Sequence, residues 1–117
     1  MPPTAPPTPR EQRVRARAPL RLGFGGGGTD VSPYSDTHGG AVLNAAIDLF
    51  AHVTVEARDD GLVSLVAADR NLAWTGPAAI PLGANPDLRL LEGVYVRCLR
   101  EFAGGAPMAL TLTSYAD

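Results

Sequence analysis

Hydrophobic and polar residues alternate from residue 13 onward in a pattern that predicts a β-strand. The apolar side of this alternation consists of Val14, Ala16, Ala18, Leu20 and Leu22. Because successive side chains of a strand point to opposite faces, we expect a half-buried strand with these residues facing inward. Pro19, on the other side, has no N–H for a sheet hydrogen bond and indicates an edge, a bulge or a frayed end.

Three further apolar stretches predict strands in the middle of the chain. Residues 41–47 are apolar except for Asn44, and the Gly-Gly pair before them favours a buried strand. Residues 49–57 alternate, and Asp-Asp-Gly at 59–61 leads into the apolar residues 62–67. We therefore expect 49–57 and 62–67 to pair as a β-hairpin. Residues 31–40 are dense in turn formers and predict a loop.

The C-terminal part predicts a helix and a final strand. Residues 69–86 show no strong period, but apolar residues then recur every three or four positions, which is typical of an amphipathic helix. Asp87 is the expected N-cap, Gly104-Gly105 the expected stop, and Cys98 is predicted to be an inert core thiol on the apolar stripe. Residues 108–115 alternate again. This order predicts an α+β fold with a largely antiparallel sheet and a helix on one face.

Length and composition place limits on the class of protein. With 117 residues, we predict a proline-rich disordered leader over 1–12 and one incomplete domain over 13–117. The net charge of −2 gives no indication of a nucleic-acid or anionic-membrane partner. No apolar run has the length of a signal peptide core or a membrane span, and the single cysteine excludes a disulfide framework, so the cytoplasm is the expected location.

All ten positive charges are arginines, because the chain contains no lysine. This excludes a Walker-type phosphate lysine, a Schiff-base lysine and a lysine general base from this sequence. Any anion bound here must be held by arginine, by backbone N–H groups or by a helix N-terminus.

The densest candidate feature is Gly-Phe-Gly-Gly-Gly-Gly-Thr-Asp at 23–30. Its Gly-x-Gly-x-x-Gly spacing formally matches the dinucleotide-binding fingerprint, but Pro33 and a polar loop follow where that motif requires a helix. A phosphate loop is disfavoured as well, since Thr29 and Asp30 stand where lysine and a hydroxyl residue are required.

Asp30 offers a different chemistry. A carboxylate beside bare backbone can accept two charge-assisted hydrogen bonds from a polyol, and the polar residues of 32–38 would add donors and acceptors. On composition alone, an equally good interpretation is that these residues are turn formers that bond their own backbone.

Four short motifs resemble the N-terminal signature of one kinase superfamily. They are Arg-Ala-Pro-Leu-Arg at 17–21, Gly-Gly-Gly-Thr-Asp at 26–30, Pro-Tyr-Ser at 33–35 and His-Gly-Gly-Ala-Val-Leu-Asn at 38–44. Together they resemble the galactokinase, homoserine kinase, mevalonate kinase and phosphomevalonate kinase (GHMP) superfamily. Within it, the D-glycero-D-manno-heptose 7-phosphate kinases are the nearest match, and L-fucokinase domains share much of the same loop.

The resemblance implies a fold like the second domain of ribosomal protein S5 and an activity that transfers the γ-phosphoryl of ATP, with Mg²⁺, to a hydroxyl of a small metabolite. The implied reaction phosphorylates the anomeric hydroxyl of D-glycero-D-manno-heptose 7-phosphate, and this chain would be the N-terminal, sugar-binding portion of the kinase. An L-fucokinase-like sugar kinase and a truncated non-catalytic remnant are the alternatives. The substrate-binding residues implied by position, or predicted beside them, are Arg21, Gly26, Gly27, Gly28, Asp30, Tyr34, Ser35 and His38. No catalytic residue and no metal ligand is assigned.

The family's phosphate-binding loop would follow a strand such as 108–115, and the chain ends at Asp117. We therefore expect the chain alone to be inactive and the remainder of a kinase chain to be its partner, with a small sugar phosphate as substrate.

Overall fold

The computed structural model of the protein describes residues 12–79, 82–83 and 85–117. In chain order its strands and helices are β1 (Arg13–Gly25), α1 (Tyr34–His38), β2 (Leu43–Ala57), β3 (Leu62–Ala67), β4 (Leu72–Pro77), α2 (Arg89–Phe102) and β5 (Leu110–Ala116). The strands form one sheet in the order β1-β2-β5-β3-β4. Apart from Gln12, the predicted leader lies outside the described residues.

The chain divides into two compact units. The first contains residues 12–16 and His52–Ala116, and the second contains Arg17–Ala51 together with Asp117. The boundaries fall inside β1 and β2, so both long strands contribute to both units. The expectation of one domain over 13–117 stays a prediction.

The hydrophobic core lies in the first unit, between one face of the sheet and α2. β3 buries Val63 and Leu65 completely, and α2 buries Tyr95 and Leu99 against the same cluster. β3 pairs antiparallel with β4 and parallel with β5, where Leu65 lies opposite Leu112. Val63, Leu65 and Ala67 share one face of β3, because successive side chains of a strand point to opposite sides, and this face meets one stripe of α2. The predicted α+β class is confirmed.

Two of the strand predictions for the middle of the chain are wrong. Residues 41–47 and 49–57 do not form separate strands, because a single strand, β2, runs from Leu43 to Ala57. The predicted hairpin between 49–57 and 62–67 is also absent from the sheet, where β5 lies between β2 and β3. The parallel pairing of β3 with β5 needs a crossover connection, which α2 supplies. Strand order is a long-range property that a turn signal at 59–61 does not determine.

The hairpin partner of β3 is β4, a strand inside the segment that showed no strong period. Alternate residues of β4 are partly buried, and Trp74 lies over Gly76, where a Cβ would come within 2.5 Å of the indole ring. The hydroxyls of Ser64 and Thr75 are 2.9 Å apart across the two strands. The prolines and glycines of 69–86 interrupt the apolar pattern, so the sequence does not predict this short strand.

The helix is confirmed, but two details differ. Asp87 is not the N-cap: a 3-10 turn (Pro86–Leu88) precedes α2, and the side chain of Asn85 accepts the Asp87 N–H at 3.0 Å. Cys98 is exposed and not in the core, because it lies about 100° around the helix from the buried Leu99.

The glycine stop of α2 is confirmed. Gly104 and Gly105 have φ of 62° and 80°, and the Gly105 N–H donates to the Leu99 carbonyl at 2.9 Å. A non-glycine residue rarely adopts these angles, so the pair ends the helix. Neither described helix has the length and apolar character needed to cross a membrane.

β1 forms as predicted, but its apolar side is not buried. Only Leu20 of this strand is partly buried, whereas Val14, Leu22 and Phe24 are 67%, 52% and 65% exposed. On β2, Leu43 is 68% exposed. The alternation of apolar and polar residues therefore predicts the strand correctly. The described residues do not form a layer that covers its apolar side.

Candidate functional site

The glycine tract begins where β1 ends. Gly26 and Gly28 have φ of 85° and 90°, in the region that favours glycine over other residues. At Gly26 a Cβ would also lie 1.9 Å from the Ala41 carbonyl oxygen. Glycine is therefore required at position 26 for two independent reasons, its backbone angle and the close approach of residue 41.

Thr29 joins this tract to the segment before β2. Its N–H donates to the Gly26 carbonyl at 3.1 Å, and its hydroxyl lies 2.6 Å from the same oxygen. The hydroxyl also accepts the Ala41 N–H at 3.1 Å. The sequence assigns Thr29 no separate role, although Thr29 belongs to the Gly-Gly-Gly-Thr-Asp motif at 26–30.

Residues 31–40 are not entirely loop, because they contain the short helix α1. The Ser35 N–H donates to the Val31 carbonyl at 3.1 Å, and the Ser32 hydroxyl donates to the Asp36 carboxylate. Tyr34 and His38, one helical turn apart, place their ring centroids 4.9 Å from each other with planes tilted by 43°. The turn formers thus fold as one helical turn that pairs two aromatic rings.

A cavity of about 370 Å³ lies along the end of β1. Its lining consists of Arg21, Gly23, Phe24, Gly25, Gly27, Val42 and Asn44. The other three arginines of β1 have partners: Arg13 is 2.7 Å from Glu56, Arg15 is 3.3 Å from His52, and Arg17 lies 4.7 Å from the centre of the Phe50 ring. Within the described part of the chain, the Arg21 guanidinium has no such partner, so its charge is available to a ligand.

A second cavity, of about 430 Å³, lies beside α1. It is lined by Thr29, Tyr34, His38, Gly39, Gly40 and Ala41. Backbone contact is close here as well, since a Cβ on Gly40 would lie 2.0 Å from the Thr29 carbonyl oxygen. This cavity combines two aromatic side chains with bare backbone, and a sugar ring can pack against such a surface.

The structure therefore distributes the predicted substrate-binding residues over two cavities. Arg21 and Gly27 line the first, and Tyr34 and His38 line the second. Gly26, Gly28, Asp30 and Ser35 line neither. The carboxylate of Asp30 is exposed, and no group in residues 12–79, 82–83 or 85–117 bonds to it. Ligand binding by these residues stays a prediction.

One ion pair in the first unit shifts the pKa values of both of its members. Arg58 hydrogen-bonds the carboxylate of Asp60, which lowers the pKa of Asp60 to about 2, and the same hydrogen bond raises the pKa of Arg58. Arg58 also donates to the Thr111 hydroxyl at 3.1 Å, so the pair joins the end of β2 to β5. In the described ranges, no three His, Cys, Asp or Glu side chains are close enough to hold a metal ion.

Sequence comparison identifies a related enzyme. The chain is 36% identical over 104 residues to D-glycero-alpha-D-manno-heptose 7-phosphate kinase of Campylobacter jejuni. The match covers 89% of this chain and 30% of the relative. No protein-family model matches the chain.

Solved structures share the fold, and among them are two described as kinases. One is a D-glycero-D-manno-heptose 1-phosphate kinase from Bacteroides thetaiotaomicron, with a TM-score of 0.74, 40% identity and coverage of 88% of this chain. The other is described as a sugar kinase from C. jejuni, with a TM-score of 0.69, 35% identity and coverage of 89%. The chain spans about a third of the length of each of these proteins.

Proposed function

We infer that this chain, which is related in sequence and fold to the heptose phosphate kinases, forms the sugar-binding side of an ATP-dependent sugar-phosphate kinase. The observation that carries the proposal is the combination of 40% identity with a TM-score of 0.74 to a heptose phosphate kinase over nearly all of this chain. The proposed reaction phosphorylates the anomeric hydroxyl of D-glycero-D-manno-heptose 7-phosphate. GHMP membership and the substrate are part of the same proposal.

Asp30 is the proposed sugar ligand. Its carboxylate has no competing partner among the described residues, and it follows a tract whose backbone has no side chains to keep a ligand away. A carboxylate accepts hydrogen bonds from two hydroxyls of a polyol, and such charge-assisted bonds are about twice as strong as neutral ones. Tyr34 and His38, in the second cavity, would contact the sugar through their paired rings.

Arg21 is the proposed anion ligand. The substrate carries a phosphate, and this chain can hold an anion only with arginine or with backbone N–H groups, since it has no lysine. Arg21 combines an available guanidinium with a cavity that is lined in part by three glycines, Gly23, Gly25 and Gly27. A guanidinium binds phosphate in a planar, bidentate arrangement, which adds orientation to affinity.

The described residues do not fit ATP or Mg²⁺. They include no metal-binding cluster, and the glycine tract is followed by Pro33 and α1, a helix too short to present an N-terminal phosphate site. We therefore assign no step of phosphoryl transfer to this chain and propose that it is inactive alone. ATP and Mg²⁺ would be bound by the remainder of a kinase chain in the cytoplasm, which would also cover the exposed apolar side of β1.

The decisive substitution is Asp30→Asn. Loss of the charge should remove charge-assisted hydrogen bonds worth about 1.5–3 kcal/mol, which corresponds to a roughly 10- to 100-fold weaker Kd for heptose 7-phosphate. Isothermal titration calorimetry on the 117-residue chain measures the change in Kd. In the proposed complete kinase, called the whole gene product below, kcat/KM for the sugar should fall by a similar factor. Asp69→Asn, at an exposed site in the first unit, is the matched control.

A panel of ligands identifies the sugar. Heptose 7-phosphate should bind more tightly than heptose, because only the former engages Arg21, and both should bind more tightly than L-fucose. If L-fucose binds best, the enzyme is a fucokinase-like protein and the substrate assignment is wrong. If Asp30→Asn binds heptose 7-phosphate within threefold of the unmodified chain, the sugar-binding role of Asp30 is wrong.

A further inference from the structure

The Oγ1 atom of Thr29 takes part in two hydrogen bonds, as the donor in one and as the acceptor in the other. A threonine hydroxyl has one proton to donate and lone pairs to accept. Its proton is best used toward the Gly26 carbonyl at 2.6 Å, because the Ala41 carbonyl is more distant at 3.1 Å. The lone pair then accepts the Ala41 N–H at 3.1 Å. The Thr29 side chain therefore joins the backbone of the glycine tract at Gly26 to the backbone of Ala41, twelve residues beyond Thr29 itself.

The same two segments approach each other too closely for side chains. A Cβ on Gly26 would be 1.9 Å from the Ala41 oxygen, and a Cβ on Gly40 would be 2.0 Å from the Thr29 oxygen. Thr29 lies between these two contacts. The glycines permit the close approach but provide no attraction, whereas the Thr29 hydroxyl provides the hydrogen bonds that hold it.

Packing offers little alternative support. Every residue of the hydrophobic core cluster, including the partly buried ones packed against it, belongs to the first unit, whereas Thr29 is in the second. Gly26, Asp30 and Ala41 are exposed, and Thr29 itself is half-buried. Where burial contributes little, hydrogen bonds decide the backbone conformation, so the position of this loop depends on the Thr29 hydroxyl.

We propose that Thr29 is a positioning residue, which holds the glycine tract against residues 39–41 so that Asp30 and the cavity of Tyr34 and His38 face the same sugar. Thr29 lines that cavity and directly precedes Asp30, so a shift of its backbone moves both. This inference rests on the proposed function, since it assumes that a sugar binds there. The role assigned to Thr29 is to order the site before the sugar arrives.

The test compares Thr29→Val, which keeps the shape and removes the hydroxyl, with Thr29→Ser, which keeps the hydroxyl. Hydrogen exchange of the Ala41 amide, followed by NMR without ligand, reports directly on the hydrogen bond from the Ala41 N–H to the Thr29 hydroxyl. We expect at least tenfold faster exchange in Thr29→Val and near-normal exchange in Thr29→Ser. Calorimetry with heptose 7-phosphate should show about tenfold weaker binding for Thr29→Val and binding within threefold of the unmodified chain for Thr29→Ser.

In the whole gene product, Thr29→Val should raise KM for the sugar and leave KM for ATP unchanged, which a general loss of structure would not do. If the unmodified chain fails to bind heptose 7-phosphate, both the proposed function and this inference are overturned. If the unmodified chain binds and Thr29→Val binds equally well, only the role of Thr29 is overturned. The same holds if Thr29→Ser is as impaired as Thr29→Val. Should Thr29→Val not fold, Thr29→Ala takes its place under the same criteria.

Discussion

The hydroxyl of Tyr95 is a buried bridge between α2 and the segment that leads into β5. Tyr95 is 2% exposed, and its hydroxyl donates to the Met108 carbonyl at 2.8 Å while it accepts the Met108 N–H at 3.1 Å. Tyr95→Phe removes both hydrogen bonds and keeps the ring in the core. We expect this variant to lose stability without losing the fold.

The magnitude follows from the two bonds. Each hydrogen bond contributes about 0.5–1.5 kcal/mol net, and a buried group left without a partner costs about 1–3 kcal/mol. Met108 as a residue is 51% exposed, so we expect water to replace part of the lost hydrogen bonding. We therefore expect a loss of about 1–2 kcal/mol in the free energy of unfolding, or a fall in Tm of roughly 5–10 °C for a domain of this size.

Urea denaturation followed by Trp74 fluorescence and far-UV circular dichroism measures the effect. Tyr115→Phe is the matched control, because Tyr115 is 48% exposed and its ring has a described contact only with His52, at 6.3 Å between centroids. The control should lose less than about 0.5 kcal/mol. A Tyr95→Phe variant as stable as the control would refute the bridging role of the hydroxyl.

Two other substitutions test steric and electrostatic features. Gly40→Ala would place a Cβ 2.0 Å from the Thr29 carbonyl oxygen, and we expect a loss of about 1–3 kcal/mol in the free energy of unfolding, measured by urea denaturation. Gly27→Ala is the control, because its Cβ would meet nothing within 4 Å, and it should lose less than about 0.5 kcal/mol. Equal losses would contradict the close approach. The pKa of Asp60 is lowered to about 2 by Arg58, below its unfolded value of about 3.9, so its contribution to stability is present above about pH 4 and is lost as the pH falls toward 2. Unfolding midpoints of the unmodified chain and of Asp60→Asn should therefore converge between pH 4 and pH 2, and a constant difference down to pH 2 would show that the pair does not stabilise the fold.

Short sequence motifs point to Arg21, Gly27, Tyr34 and His38, and the structure places each of them in the lining of a cavity, while their binding of a sugar stays a prediction. Their separation into two cavities was not predictable, because it depends on how 39–41 folds back against the glycine tract. Thr29 was missed for the same reason, since its two partners are three and twelve residues away and only the fold brings them to one hydroxyl.

Local patterns in the sequence determined the individual elements: the alternation of β1, the period of α2 and its end at Gly104-Gly105, and the terminal strand β5. These depend on neighbouring residues and on backbone angles, which a sequence pattern records. Tertiary structure alone decided the place of β5 between β2 and β3, the exposure of Cys98 and the uncovered side of β1. Each of these depends on which distant surface a segment meets, and a period of two or of 3.6 specifies a face of an element without specifying what packs against it.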